Sequence, residues 1–164
     1  MNRIFLLDKS GSMHERIGDA IGGFNSFVEE QKKIDGTLTL YTFNDKLTCE
    51  YTNVDIQEVK PMDRSSYVPG GNTALYDAMG HILNDHDVVG KLIILTDGEE
   101  NSSRHYTKSH VKDLIKHSKL EIIYAGADIE DAKELGIANR FHYDGSGTPE
   151  IMRLLSTEVS QKPY

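Results

Sequence analysis

The amino-acid sequence predicts an α/β fold: a three-layer, doubly wound (Rossmann-like) sheet that is mostly parallel and carries one antiparallel edge strand. Two observations predict it. Short apolar runs alternate along the chain with segments whose apolar residues recur every three or four positions, which is the spacing of amphipathic helices. In addition, residues 4–7 are all apolar, as expected of a central strand that is buried on both faces of a parallel sheet.

The individual elements follow from local patterns. Residues 37–43 and 47–53 are rich in β-branched and aromatic residues and are separated by a short polar turn, so we expect a hairpin whose second strand is the antiparallel edge. Prolines and glycines interrupt residues 60–72, which predicts a loop. The other expected elements are a strand over 4–7, helices over 17–33, 75–83 and around 111–115, strands over 91–96, 120–127 and 141–143, a short helix near 129–136, and a last helix.

Three positions carry more specific expectations. Thr148 is expected to cap the last helix, with Pro149 in its first turn. The pair Gly22-Gly23 inside the first helix favours close packing of that helix against the sheet. Cys49 is the single cysteine, and we expect it to be a buried or half-buried strand residue in a reducing compartment.

Length and charge limit the classes of protein that this chain can represent. Its 164 residues fit a single domain over 1–164. A net charge of -8 repels phosphate groups, which argues against binding to nucleic acid or to an anionic membrane. No apolar run approaches the roughly 20 residues that cross a bilayer. The N-terminal segment lacks the longer apolar region and cleavage site of a signal peptide, so we expect a cytoplasmic protein.

Oxygen-bearing side chains collect where the predicted strands end. In an open parallel sheet, ligands bind beyond the carboxyl ends of the strands. Carboxylate and hydroxyl oxygens suit a hard cation such as Mg²⁺, with Mn²⁺ or Ca²⁺ as further possibilities. The candidate metal ligands come from two strand ends and one glycine-rich loop: Asp8, Ser10, Ser12, Thr73 and Asp97.

Each of these segments also has an ordinary explanation when it is taken alone. Ser10-Gly11-Ser12 before a helix is often a turn and N-cap, Asp97-Gly98 after a strand is often a turn, and Thr73 could cap its own helix. Their joint occurrence at one sheet edge is explained better by a metal site. A cation there would also relieve the repulsion between Asp8 and Asp97, which would otherwise favour protonation of one of them.

The same segments resemble a known family. D-K-S-G-S, G-G-N-T-A-L-Y-D-A and L-T-D-G-E occur in the order found in the von Willebrand factor type A domain, and they look like its metal-ion-dependent adhesion site. The resemblance implies that Ser10, Ser12 and Thr73 contact a metal, and that Asp8 and Asp97 bind it directly or through water. It also implies that an Asp or Glu of a partner protein completes the coordination.

We therefore expect a magnesium-dependent protein-binding module, freestanding in a bacterium or a virus of bacteria, and not an enzyme. One alternative keeps the fold but binds its partner independently of the metal, through helix surfaces or the hairpin edge. Another is a magnesium-dependent phosphohydrolase. Phosphatases of the haloacid dehalogenase type place a second acid two residues after the first, and here that position is Ser10.

Charged residues beside the candidate site leave their roles open at this stage. Lys9 and His14 lie next to the first segment, and Glu99 and Glu100 follow the last. Each could contact a partner at the edge of the site or be an ordinary solvated side chain.

Overall fold

A six-stranded sheet forms the centre of the computed structural model, which describes residues 1–161. The strands stand in the order β3-β2-β1-β4-β5-β6, and all neighbouring pairs are parallel except β2 with β3. This confirms the predicted fold class. The strands are β1 (Asn2–Asp8), β2 (Thr37–Phe43), β3 (Leu47–Asp55), β4 (Val89–Thr96), β5 (Lys119–Gly126) and β6 (Asn139–His142).

Helices cover both faces of this sheet. Two short 3₁₀ helices, Gly11–Arg16 and Ile56–Glu58, accompany the α-helices. None of the helices in residues 1–161 has the length and apolar character needed to cross a bilayer. The α-helices are α1 (Ile17–Gln31), α2 (Leu75–Leu83), α3 (Lys108–His117), α4 (Ile129–Glu134) and α5 (Thr148–Val159).

The central strand β1 is buried on both faces, as its apolar run predicts. Phe5 and Leu7 face the core that α1 and α5 cover, whereas Ile4 and Leu6 face the core under α2 and α3. Phe5 packs edge-to-face against Phe24 of α1, with ring centroids 5.2 Å apart. Burial from two sides holds the end of β1 in a defined place beneath the candidate site.

The predicted cap of the last helix is wrong. Thr148 is the first residue of α5, and the N-cap position is taken by Gly147, in the left-handed conformation with φ 68°. The Thr148 hydroxyl is buried and forms a 2.7 Å hydrogen bond with the hydroxyl of Tyr143 instead. The Thr148 hydroxyl, which the sequence assigned to the cap, therefore takes part in tertiary packing. Pro149 lies in the first turn of α5, as expected.

The expected burial of Cys49 is also wrong. Cys49 lies in β3, which is the edge strand of the hairpin as predicted, but its side chain is exposed. Its thiol lies 3.2 Å from the hydroxyl of Thr52. An edge strand is covered only in part by the helical layers, so an apolar residue in that strand can have an exposed side chain.

The two glycines of α1 lie in different surroundings. A Cβ atom on Gly23 would lie 2.8 Å from Cγ of Met152 in α5, whereas a Cβ on Gly22 would meet nothing within 4 Å. Close packing of α1 at this point is therefore present, but the element packed against α1 is α5 and not the sheet.

Candidate metal centre

The candidate site is built at the carboxyl ends of the two central strands. Asp8 is the last residue of β1, and Asp97 directly follows β4. Leu7 pairs with Leu95 in the parallel register, so the two carboxylates leave adjacent strands at nearly the same level. This is the sheet edge at which open α/β sheets bind ligands.

Asp8 is fully buried and held by directed hydrogen bonds. Its Oδ1 accepts from the Ser10 backbone N–H at 2.6 Å, and its Oδ2 accepts from the Thr96 hydroxyl at 2.7 Å. The hydroxyl of buried Tyr67 donates to the Asp8 backbone carbonyl at 2.7 Å. Burial raises the pKa of Asp8 from 3.8 to about 6; hydrogen bonds from Ser10 and Thr96 oppose the shift, and the negative charge of Asp97 adds to it.

The two serines connect the two carboxylates. Ser10 Oγ lies 3.2 Å from Ser12 Oγ, and Ser12 Oγ donates to Asp97 Oδ1 at 2.7 Å. Ser10 is buried, whereas Ser12 is exposed and Asp97 is half-buried, so the arrangement runs from the sheet toward solvent. Ser10 occupies the N-cap position of the 3₁₀ helix without a side-chain capping bond, which leaves its hydroxyl to Ser12.

Thr73 reaches the same place from a separate loop. It is buried, and a Cβ built on Gly98 would lie 3.2 Å from its hydroxyl oxygen. The alternative that Thr73 caps its helix is wrong, because the N-cap of α2 is Ala74 and makes no side-chain capping bond. The loop is joined to the first segment by the Gly11 N–H, which donates to the Gly71 carbonyl at 2.9 Å.

This donor set fits a hard divalent cation. Within residues 1–161 neither Asp8 nor Asp97 takes part in an ion pair, so a buried negative charge has no protein cation beside it. No group of three or more His, Cys, Asp or Glu side chains in that range is arranged to hold a metal. The candidate site has two carboxylates and three hydroxyls, a composition suited to an ion that keeps some of its water, such as Mg²⁺.

The charged neighbours have mixed roles. Lys9 is half-buried and its ammonium donates to the Thr48 hydroxyl at 3.2 Å, so it belongs to the hairpin contact. His14 and Glu99 are exposed. Glu100 is no ordinary solvated acid: its carboxylate accepts backbone N–H groups of Tyr76, Ser102 and Ser103.

Several residues that shape the site were not anticipated from the sequence. Thr96 could have been recognised as a polar residue at the buried end of a strand, next to the predicted ligand Asp97. Tyr67 and Asn101 lie in loops, and nothing in their local pattern indicates that they contact Asp8 and Thr73, which are 59 and 28 positions away. Such contacts depend on the packing of loops from different parts of the chain.

Solved structures with the same architecture identify the fold. A von Willebrand factor type A protein from Catenulispora acidiphila superposes with a TM-score of 0.69 at 15% identity, over 99% of this chain and 43% of that chain. The protein has the von Willebrand factor type A fold. No protein-family model and no curated protein sequence matches the chain.

Two further structures of the type A fold carry metals. Proximal thread matrix protein 1 from the mussel byssus, with a zinc-occupied metal-ion-dependent adhesion site, has a TM-score of 0.65 and 17% identity over 96% of this chain and 45% of that chain. Manganese-loaded TRAP protein from Plasmodium vivax has a TM-score of 0.64 and 15% identity over 93% of this chain and 71% of that chain. The chain spans less than half the length of the Catenulispora and mussel proteins.

Proposed function

We propose that this protein is a divalent-metal-dependent protein-binding module and not an enzyme. The observation that carries the proposal is the chain of hydrogen bonds that joins Asp8, Ser10, Ser12 and Asp97. In the part of the chain that the structure describes, neither carboxylate has an ion-pair partner. Thr73 adds a fifth oxygen donor from the neighbouring loop. The metals in the mussel and Plasmodium proteins of the same fold support this proposal.

Each side chain has a separate role in the proposal. Buried Asp8 supplies negative charge and orients the Ser10 backbone through its Oδ1. Ser10, Ser12 and Thr73 supply neutral oxygen donors, and Asp97 supplies the second carboxylate at the solvent side. A bound Mg²⁺, or Mn²⁺ or Ca²⁺ in its place, would supply the positive charge that attracts an Asp or Glu of the partner protein.

The residues at the site favour binding over hydrolysis. The position two residues after Asp8 is Ser10, whose hydroxyl contacts Ser12, so no carboxylic acid is placed there to protonate a leaving group. The overall charge of -8 also disfavours a polyanionic substrate. An acidic side chain of a protein would be drawn to the site by the metal itself.

The proposal is tested in two steps. Mg²⁺ and Mn²⁺ are first titrated into metal-free protein by calorimetry, with Asp97→Ala as the variant and Glu15→Gln as a control that removes an exposed negative charge outside the donor set. A random peptide display library is then selected on the Mg²⁺-loaded protein. We expect metal binding in the wild type and the control but not in Asp97→Ala, and selected peptides whose binding requires an Asp or Glu.

The alternatives predict other outcomes of these measurements. Peptides that stay bound in EDTA and to Asp97→Ala would show that recognition is independent of the metal. Turnover of para-nitrophenyl phosphate by the wild type, lost in Asp8→Asn, would show that the site belongs to a phosphohydrolase.

A further inference from the structure

Thr73 differs from the other candidate ligands because its segment does not directly follow a β-strand. Its position depends on two backbone hydrogen-bonding groups, and both are satisfied by one residue of the loop that follows β4. The Thr73 N–H donates to Asn101 Oδ1 at 2.9 Å, and the Asn101 N–H donates to the Thr73 carbonyl at 2.9 Å. These two hydrogen bonds hold the peptide groups on both sides of the Thr73 Cα atom, so they restrict the position and the orientation of the residue.

The residues on either side of Thr73 are held by a different loop. The Asn72 N–H donates to Asp45 Oδ2 at 3.0 Å, and the Ala74 N–H donates to the Asn44 carbonyl at 2.9 Å. Both acceptors lie in the turn of the β2–β3 hairpin. Three successive N–H groups are therefore fixed by two loops, and the central one, that of Thr73, is fixed by the Asn101 side chain.

The loop after β4 also supplies hydrogen-bond acceptors for the N–H groups at the start of α2, which has no side-chain cap of its own. Ala74 cannot cap α2 with its side chain, but Glu100 Oε1 accepts from the Tyr76 N–H and Ser103 Oγ accepts from the Asp77 N–H, each at 2.9 Å. A carboxylate at a helix N-terminus is also favoured by the helix dipole. The helix start is thus satisfied from outside, which leaves the Thr73 hydroxyl without a capping role.

We propose that Asn101 is a positioning residue of the metal site: its side-chain carbonyl, by binding the Thr73 N–H, aims the Thr73 hydroxyl at the metal. This inference rests on the proposed function. Residues that orient metal ligands typically change metal affinity by roughly 10- to 100-fold when they are removed. Asn101 is exposed, so truncation of its side chain removes little packing.

Three variants test the inference. Asn101→Ala removes the acceptor, and Asn101→Asp keeps a side-chain oxygen at the same reach. Asn25→Ala is the matched control. The Asn25 side chain binds the backbone carbonyl of one loop residue, Met62, at 3.0 Å and its backbone N–H at 2.8 Å. For each protein we measure Mn²⁺ affinity by calorimetry, unfolding in urea without metal, and exchange of the Thr73 amide hydrogen by NMR.

We expect Asn101→Ala to bind Mn²⁺ roughly 10- to 100-fold more weakly and to exchange its Thr73 amide faster. Asn101→Asp should bind at least as tightly as the wild type, and Asn25→Ala should be less stable in urea yet bind Mn²⁺ normally. Wild-type affinity in Asn101→Ala, or an equal loss of affinity in Asn25→Ala, would overturn the inference while leaving the proposed function standing. Failure of the wild type to bind Mn²⁺ would overturn both.

Discussion

Asp8 combines a structural and an electrostatic role at the end of the central strand. Its carboxylate accepts from the Ser10 backbone and from the Thr96 hydroxyl, so the side chain orders the turn that follows β1. As a consequence, the Asp8 carboxylate is shielded from water and lies near a second carboxylate, that of Asp97. This conflict raises the pKa of Asp8 to about 6, chiefly through burial.

The raised pKa of Asp8 predicts a pH dependence of stability in metal-free protein. Between about pH 4 and pH 6 the folded state keeps a proton that the unfolded state has lost, so the free energy of unfolding should fall as pH rises through this window. The shift from 3.8 to about 6 corresponds to a loss of about 3 kcal/mol that is complete above the folded pKa. Asp8→Asn should lack this loss, since an amide carries no titrating proton.

Urea denaturation in EDTA between about pH 4 and pH 7 measures this effect. The difference between the wild-type and Asp8→Asn curves isolates Asp8 from the other acids, several of which have lowered pKa values, for example Asp77. The Thr96 hydroxyl can turn to accept from the amide, so the variant is expected to fold. Parallel curves for the two proteins would contradict the prediction.

At the level of elements, the contact between α1 and α5 depends on a glycine. Gly23 is buried and faces Met152, and the space there is too small for a methyl group, whereas Gly22 is exposed. Gln31 joins the same two helices at the C-terminal end of α1, where its amide donates to the Ser156 carbonyl and hydroxyl. The glycine doublet therefore contains one position selected by packing and one that is not constrained by neighbours.

Alanine substitutions at the two glycines should have opposite effects. Gly22→Ala should raise the free energy of unfolding by about 0.5–1 kcal/mol, because alanine loses less backbone entropy in a helix. Gly23→Ala should lower it by about 1–3 kcal/mol, because the added methyl group overpacks the contact with Met152. Urea denaturation of the two variants in parallel tests this, and equal changes in both would refute it.

At the level of the whole molecule, negative charge and the sheet edge act together. The chain carries a net charge of -8, and its two central strands each deliver a carboxylate to one edge. A bound divalent cation would lower this self-repulsion and would stabilise only the folded state, because the five donors come from three separate parts of the chain.

Metal binding should therefore raise the melting temperature. At a free Mg²⁺ concentration about 100 times its Kd, the expected stabilisation is about 2.7 kcal/mol, which corresponds to roughly 5–11 °C for a domain of this size. Differential scanning calorimetry of the wild type and Asp97→Asn, each with Mg²⁺ and with NaCl of equal ionic strength, provides the measurement. An equal increase in the variant, or with NaCl, would show that the stabilisation is general screening.

The order of elements and the sheet edge of the candidate site could be predicted because both have local signals. Strand β1 is apolar throughout, and the residues at its end, Asp8, Ser10 and Ser12, are polar within a few positions. Periodicity and turn residues report on short stretches of chain, which is why the β2–β3 hairpin and its antiparallel edge were predicted correctly. The structure also brings the predicted ligands to one edge, although binding of a metal stays a prediction.

By itself the sequence determined the fold class, the order of elements and the choice of candidate metal ligands, since each is encoded in residue type and short-range spacing. Only the tertiary structure decided which groups hold those residues in place. Asn101 reaches Thr73 across 28 positions, Tyr143 takes the hydroxyl of Thr148, and Arg3 is fully buried where it binds the Gln31 side chain. Hydrogen bonds of this kind depend on distances between packed elements, and no local pattern carries that information.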